Sequence, residues 1–572
     1  MPVHNATIAA IFDEIADLLD IQGANTFRIR AYRNAARTVG ELGTDVKTLK
    51  ERGTALTDIP GIGEDLAKKI DEILETGKCE FLERLRKEVP PAVTQLLKIP
   101  GLGPKRVKTL WHDLDIQTLD QLLRAAKDGR IRELHGFGEK TEQHILEAAQ
   151  VHLSQAHRFK LAVAAQYAEA FVAYLRKIAG VEEVIIAGSF RRMRETVGDI
   201  DILVAAEKPE GVMDRFIAYE EVKEVLASGP TRGSVVLNAG IQVDIRIIPK
   251  QSWGAALVYF TGSKAHNIAI RRIAQDKGLK INEYGVFKGD KPIAGIDEGS
   301  VYKAIGLPWI PPELREDRGE IEAALVGKLP DLVELGDLKG DLHTHSKASD
   351  GHDTIRDMAQ AAQAAGLQYL AITEHSRRLT VAHGLDPVRL AKQGAEIDRL
   401  NRELEGFTVL KGIEVDVLED GSLDLPDSAL AGLDIVVAAV HSKFDLPRVK
   451  QTQRILNALD NPVVSILAHP TGRLIEEREP YDVDMLKIIR KAKSRNVALE
   501  VNAHPERLDL LDTYCQMAKQ EGVLVSINSD AHNAFEFGML RFGVGQARRG
   551  WLEKKDVLNT RSLKELRARL SK

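Results

Sequence analysis

Two sets of carboxylates and imidazoles in this chain have the types and spacings that metal-assisted phosphate chemistry needs. In the first, Gly188-Ser189-Phe190-Arg191-Arg192 precedes Asp199-Ile200-Asp201, and Asp244 follows in Val243-Asp244-Ile245-Arg246. Side chains two apart on a strand share a face, so Asp199 and Asp201 project together, and Asp244 on a neighbouring strand completes a three-carboxylate floor. Magnesium and manganese take oxygen ligands and leave room for phosphates, so the floor suits two Mg2+ or Mn2+ ions clamping a nucleoside triphosphate. Gly188-Ser189 offers a tight turn and a hydroxyl to that triphosphate, and Arg192 a counter-charge. An isolated Asp-x-Asp is usually a polar strand end; the Gly-Ser turn and the third carboxylate reverse that reading.

The second set lies at the ends of strand-like runs: His343 and His345, His375, Glu414, His441, His469, then Asp530 and His532, with Asp350 in the loop after the first run. Imidazole with carboxylate suits Zn2+, Mn2+ or Fe2+ better than magnesium. One histidine alone is more often a core or surface residue, but nine ligand types at corresponding positions are not.

The elements that must position these residues follow from periodicity. Residues 1 to about 155 have helical spacing throughout, as in Ala9 to Leu19, Ala31 to Leu42 and Leu66 to Glu75. Three related pentapeptides interrupt them: Ile59-Pro60-Gly61-Ile62-Gly63, Ile99-Pro100-Gly101-Leu102-Gly103 and Leu134-His135-Gly136-Phe137-Gly138. Each is a glycine-pinned turn opening a helix, the geometry by which helix-hairpin-helix motifs hold a DNA phosphate without reading bases. Gly61, Gly63, Gly101, Gly103, Gly136, Gly138 and the following Lys105 are therefore candidate DNA contacts. Strands are expected at Val184 to Ala187, Ile200 to Ala205, Ser234 to Asn238 and Ile241 to Ile248, with a helix over Met213 to Ser228. From Leu338 onward seven strand-like runs alternate with helices, which predicts a barrel-like parallel α/β domain.

The 572 residues exceed one core and imply several domains. Two cysteines, Cys79 and Cys515, give no disulfide framework. The net charge of -5 averages over domains and does not exclude DNA, which needs only a local patch. No apolar run is long enough to span a bilayer, so a cytoplasmic protein without membrane association is expected.

Residues 188 to 204 resemble the nucleotidyltransferase palm of family X DNA polymerases, the polymerase beta group. The likeness continues through Tyr259-Phe260-Thr261-Gly262-Ser263, Asn267, Arg271 and Ile281-Asn282-Glu283-Tyr284, and covers nearly all of residues 1 to 318. It implies that Gly188, Ser189, Arg192, Gly198, Tyr259, Phe260, Gly262, Asn267 and Arg271 contact the nucleotide, its sugar or the template. It also implies that Arg28, Tyr32 and Lys69 match a lyase domain's 5′-phosphate-binding base, tyrosine and Schiff-base lysine. Met193 replaces a usual glycine, Lys264 an acidic residue, Gln242 an arginine and Asp65 a lysine that helps hold the 5′-phosphate. The second set resembles the polymerase-and-histidinol-phosphatase (PHP) family, which implies a trinuclear metal site and 3′-to-5′ exonuclease activity, with abasic-site cleavage or 3′-phosphate removal as related chemistries.

Together these readings give a multidomain chain. Residues 1–90 are expected to form a lyase-like helical domain, 91–155 a helical DNA-binding domain, 156–250 an α+β palm and 251–318 a nucleotide-selection domain. Residues 319–338 form a linker and 339–572 a (β/α)7-like PHP barrel. The expected function is that of a monomeric bacterial repair polymerase that fills short gaps from dNTPs on gapped or primed DNA, as in base excision repair, and trims 3′ ends. The alternatives are a PHP domain acting as a pyrophosphatase or small-molecule phosphatase, and a DNA-binding scaffold with degenerate sites. The scaffold is disfavoured because no metal-binding residue type is missing.

Overall fold

The computed structural model describes residues 5–42, 46–51, 53–90, 93–94, 96–99, 101–154, 158–206 and 211–570. Pro100 of the second pentapeptide and the expected boundaries at 91 and 155 lie outside the described residues. The chain divides into two compact units: residues 1–159 with 218–224 and 236–242, and residues 160–217, 225–235 and 243–572.

The first unit is helical. All three pentapeptides fold alike: Ile62, Leu102 and Phe137 donate their amides to Ile59, Ile99 and Leu134 at 3.0, 2.9 and 3.0 Å. Gly61, Gly101 and Gly136 have φ of +72°, +90° and +83°, a region that favours glycine. Gly63 and Gly103 cap the helices Glu64–Thr76 and Pro104–Leu114 without a side-chain bond.

A five-stranded sheet orders as Val181–Ile186, Asp199–Ala206, Gln242–Ile248, Arg232–Leu237 and Val222–Ser228. The helix expected over Met213 to Ser228 stops at Ile217, and Val222–Ser228 is instead an edge strand. Its Val222-Lys-Glu-Val-Leu run carries helix-forming lysine and glutamate, and pairing with Arg232–Leu237 overrides that propensity.

The C-terminal sheet has seven parallel strands in sequence order: Gly340–Asp341, Tyr369–Ile372, Thr408–Asp416, Ile435–Ala439, Ile466–Leu467, Ala498–Asn502 and Val525–Asn528. A parallel bridge between Thr344 and Ala531 joins first to last, with His345 and Asp530 donating their amides to Ala531 and His343. Strands buried on both faces split their residues by parity. Val436 and Ala438 pack outward with the helical residues Met358, Ile455 and Ile488, whereas Ile435, Val437 and Ala439 pack inward with Leu342, Leu410 and Ile466. Towards the strand ends the inward positions turn polar, from Leu410 to Glu414 and Asp416, from Ala498 to Glu500 and Asn502, and from Leu524 to Ser526 and Asn528. The six polar residues among them are buried. An apolar plug thus supports a polar layer at the mouth, where barrel loops carry chemistry.

The expected linker is packed. It contains the helix Glu320–Leu325, and Ile321, Ala324, Leu332 and Val333 are buried, with the Val333 amide bonded to the Leu552 carbonyl at 3.0 Å. No helix among the described residues is long and apolar enough to cross a membrane.

Candidate active sites

Asp199 and Asp201 begin the strand Asp199–Ala206, and Asp244 lies on the adjacent Gln242–Ile248, so pairing of the two strands brings the three carboxylates together. Each offers an oxygen within 4.8 Å of the others. Burial, then the charges of Asp199 and Asp244, push the Asp201 carboxyl up to about 7. Such a floor is electrostatically short of positive charge, the condition a divalent cation relieves. Gly188 has φ +61°, and a Cβ there would collide with the Asp201 carboxylate, so glycine lets the turn close over the floor.

The turn's two arginines hold the Tyr259–Ser263 segment. Arg191 donates to Thr261 Oγ1 at 2.7 Å and makes two 2.8 Å bonds to Glu298, while Arg192 donates to the Thr261 carbonyl and, through Nε, to Glu316 Oε1 at 3.1 Å. Arg192 also acts on Asp201 electrostatically, as does Arg246, whose guanidinium lies 5.4 Å above the Phe260 ring. Asn267 donates to the Tyr259 carbonyl at 2.7 Å, its Oδ1 buried without a hydrogen-bond partner among the described residues, and Arg271 sits 5.0 Å over the Tyr259 ring. Ser189 and Gly198 both precede the floor in sequence, Gly198 directly before Asp199, and are half-buried.

At the barrel mouth the other set converges in three groups: His345, Asp350, His375 and His532; His343, His345 and Asp530; and His375, Glu414 and His441. His469 joins none of them but reaches Glu414 Oε1 at 3.0 Å. His343 Nε2, His345 Nδ1, His441 Nδ1 and His469 Nδ1 are buried without hydrogen-bond partners among the described residues, while His345 Nε2 and His375 Nδ1 face the Asp530 and Glu414 carboxylates at 3.1 and 2.6 Å. Buried polar atoms rarely go unsatisfied, and so many on ligand-type residues at one place fit metal ions. Burial opposes charge on His375 and His532, yet Glu414 and Asp350 push His375 up to about 10, and Asp350 with Asp530 push His532 up to about 9. Burial and the neighbouring His532 and His375 depress His345 to about 4. The carboxylates thus demand cations throughout the cluster.

Four further buried carboxylates lie at the mouth, and two of them, Glu500 and Asp416, face ligand-type imidazoles. Glu500 Oε1 lies 2.8 Å from His343 Nδ1, and its other oxygen accepts the His469 amide at 2.8 Å. Asp416 lies 3.4 Å from His441 Nδ1. Glu374 binds Ser346, Ser349 and Gln393. Asp341 accepts from the Ser529 amide and hydroxyl, and burial pushes its carboxyl up to about 7. For Glu500 the available signal is a polar residue at an inward strand position, two after the apolar Ala498.

In the helical unit Arg28, Tyr32 and Lys69 meet around Phe81, which sequence reasoning missed. Tyr32 stacks on its ring with centroids 5.9 Å apart, and Arg28, Lys69 and Arg84 lie 4.8, 5.6 and 5.0 Å from its centre. Lys69 Nζ is 2.6 Å from Asp65 Oδ1. Of the three pentapeptides, the second is followed by exposed Lys105 and Lys108, whereas Arg106 is engaged with the Gly101 carbonyl at 2.7 Å.

Family models match along the chain: a helix-hairpin-helix domain at residues 3–79, a SAM-like helix-hairpin-helix tandem at 93–150, a DNA polymerase beta thumb at 256–316 and a PHP domain at 341–504. A Bacillus subtilis (strain 168) protein named DNA polymerase/3'-5' exonuclease PolX is 40% identical over 574 residues, with 100% of both chains covered. A probable phosphatase of Thermoanaerobacter sp. (strain X514) is 31% identical over 235 residues, 38% of this chain and 89% of that one. A solved Leishmania infantum polymerase beta in a ternary complex matches at 22% identity with a TM-score of 0.27, over 39% of this chain and 98% of that one, too loose a superposition to bear on the reading. The full-length relative and the matched modules leave one assignment: the chain belongs to the family X DNA polymerases that carry a C-terminal PHP domain.

Proposed function

We propose that the protein fills short gaps in DNA at the palm and removes nucleotides from 3′ ends at the barrel. The observation that carries this is that one chain holds both a complete three-carboxylate floor and a complete nine-residue barrel set, neither missing a ligand type.

At the palm Asp199, Asp201 and Asp244 hold two Mg2+ or Mn2+ ions, which when bound favour the ionised primer hydroxyl and neutralise the departing pyrophosphate. Gly188 and Ser189 bring the turn against the triphosphate, and Arg192 neutralises part of its charge. Tyr259, Phe260 and Gly262 wall the sugar, Asn267 and Arg271 hold Tyr259 in place, and Gly198, next to Asp199, adjoins the nucleotide.

At the barrel the nine ligands hold up to three Zn2+, Mn2+ or Fe2+ ions, which when bound activate water against phosphorus. His345 and His375 each belong to two of the groups, and Glu500 fixes the ring of His343 from behind. The probable phosphatases similar to this half favour phosphate-monoester removal as a second reading of the same site.

The helix-hairpin-helix glycines Gly61, Gly101 and Gly136 make the turns, whereas a Cβ on Gly63, Gly103 or Gly138 would meet no protein atom within 4 Å. Internal packing does not require glycine at those three; close approach of a DNA phosphate does. The copy with Lys105 is the strongest phosphate site, since Glu64 and Asp65 occupy the first turn after the first copy. Lys69, with Arg28 and Tyr32, takes the 5′-deoxyribose phosphate of an incised abasic site. We place the domain boundaries near 90, 155, 250, 318 and 338, with the protein acting as a cytoplasmic monomer.

One assay tests this reading. A gapped, 3′-labelled duplex is incubated with and without dNTPs, across magnesium and manganese. Extension with dNTPs and mononucleotide release without them are expected; release of inorganic phosphate alone supports the phosphatase reading, and neither product contradicts both.

A further inference from the structure

Arg549, at the end of the barrel helix Leu540–Arg549, is 3% exposed and none of its bonds goes to the metal cluster. Its Nη1 donates to the backbone carbonyl of Arg192 at 2.8 Å and to Glu316 Oε1 at 2.9 Å, the oxygen that also accepts Arg192 Nε at 3.1 Å. Its Nη2 donates at 2.8 Å to Asp512, which also accepts Arg318 at 2.8 Å. One PHP residue therefore holds both the main chain of Arg192 and the carboxylate that orients the Arg192 guanidinium.

The neighbouring palm residues dock on the same domain. Met193, with φ +54°, lies so close to Gly545 that a Cβ there would strike its side chain, and Glu195 accepts from the buried Arg473 at 2.7 Å. Met193 replaces a glycine usual in the family; here its side chain covers the barrel helix. A docking surface alone could use any part of the palm, but these contacts fall on the residues that directly follow Gly188-Ser189.

We infer that Arg549 is a positioning residue for nucleotide addition: through Glu316 and the Arg192 carbonyl, the PHP domain sets Arg192 at the incoming triphosphate. The inference rests on the proposed role of Arg192. A planar guanidinium with two oriented bonds fixes its partner more tightly than a point charge can. Without it Arg192 keeps its charge and its own bonds to Glu316 and Thr261, but its carbonyl and Glu316 each lose an anchor, which weakens nucleotide binding more than it slows the chemical step.

The test is steady-state nucleotide addition by the full chain, with dNTP and DNA varied separately. Arg549→Met should raise KM for dNTP by about tenfold, as expected for an oriented charge-assisted contact, with KM for DNA and 3′-end degradation unchanged. Arg549→Lys should recover only part of the loss, and Arg549→Met should add nothing in an Arg192→Ala background. Arg548→Ala, which removes bonds to Glu313 and the Val333 carbonyl from the same helix, should leave KM for dNTP unchanged. If Arg549→Met does not fold, the near-isosteric Glu316→Gln reads the same link and should raise KM for dNTP. If Arg192→Ala leaves KM for dNTP unchanged, the role of Arg192 falls. If Arg192→Ala raises it while Arg549→Met and Glu316→Gln do not, or if Arg548→Ala raises it equally, the positioning role of Arg549 is overturned.

Discussion

Nδ1 of His343 donates to Glu500 at 2.8 Å, which leaves Nε2 of the same buried ring 3.5 Å from both Glu414 and Asp530. A carboxylate behind a ligating imidazole fixes its tautomer and direction, and losing such a partner typically costs about 10–100-fold in metal affinity or activity. Glu500→Ala should therefore lower both bound metal, measured on the purified protein by elemental analysis, and 3′-end degradation by about that factor. Gap filling should be untouched. Full metal content in this variant would show that Glu500 only fills space.

Lys69 and Asp65 form an ion pair one helical turn apart, with Nζ 2.6 Å from Oδ1. Attack on a sugar aldehyde needs Nζ free to reach the carbon, and the ion pair tethers it to Asp65. Borohydride trapping on a 5′-deoxyribose-phosphate duplex should therefore be lost in Lys69→Ala and increased in Asp65→Asn. Trapping that survives Lys69→Ala moves the chemistry to another lysine, and its absence in every variant leaves this cluster a 5′-phosphate anchor.

Glu298 is a buried hub of the segment that matches the polymerase beta thumb, accepting from Arg191, Arg315 and Trp309 Nε1. Burial alone would raise its carboxyl, but Arg315 and Arg191 overcome this and hold it at about 2, below its ordinary 4.5. A carboxyl depressed in the folded state stabilises it fully above the unfolded value, and that contribution is lost as pH falls through the folded one. The difference corresponds to about 3 kcal/mol, lost between about pH 5 and 2. Glu298→Gln should lower the thermal midpoint at pH 7, because it leaves the buried Arg315 without its charge partner at a cost of about 3–5 kcal/mol. It should also flatten the acid limb of the stability curve. An unchanged midpoint at pH 7 would contradict the hub assignment.

The barrel and the residues that converge at its mouth are legible in the sequence because strands buried on both faces read as apolar runs, and nearly every run ends in a ligand type. The palm floor is legible for a similar reason: two carboxylates at strand spacing admit few other readings. Val222–Ser228 is not legible, since its lysine and glutamate suit a helix and only an adjacent strand decides otherwise. Arg549 is hidden for a different reason, because its partners Arg192 and Glu316 are 357 and 233 positions away and no local pattern records such a contact. Glu500 lies between these cases: its place two residues after Ala498 on an inward face marks it, but its partner His343 is 157 positions distant.

Gly188 offers a local test of the palm. Its φ of +61° and the collision a Cβ would make with the Asp201 carboxylate mean that Gly188→Ala must displace the floor. Nucleotide addition should fall at least about a hundredfold, as expected when a pre-organised site is misplaced by about an ångström, with 3′-end degradation retained. Wild-type addition by this variant would show that the turn does not press on the floor.

The central claim is that the chain carries two separate active sites, and one gapped, 3′-labelled duplex assay on two variants tests it most directly. Asp199→Ala/Asp201→Ala should lose extension and keep 3′-end degradation, and His343→Ala should do the reverse. Loss of both activities in either folded variant, or extension by the double carboxylate variant, would contradict the account.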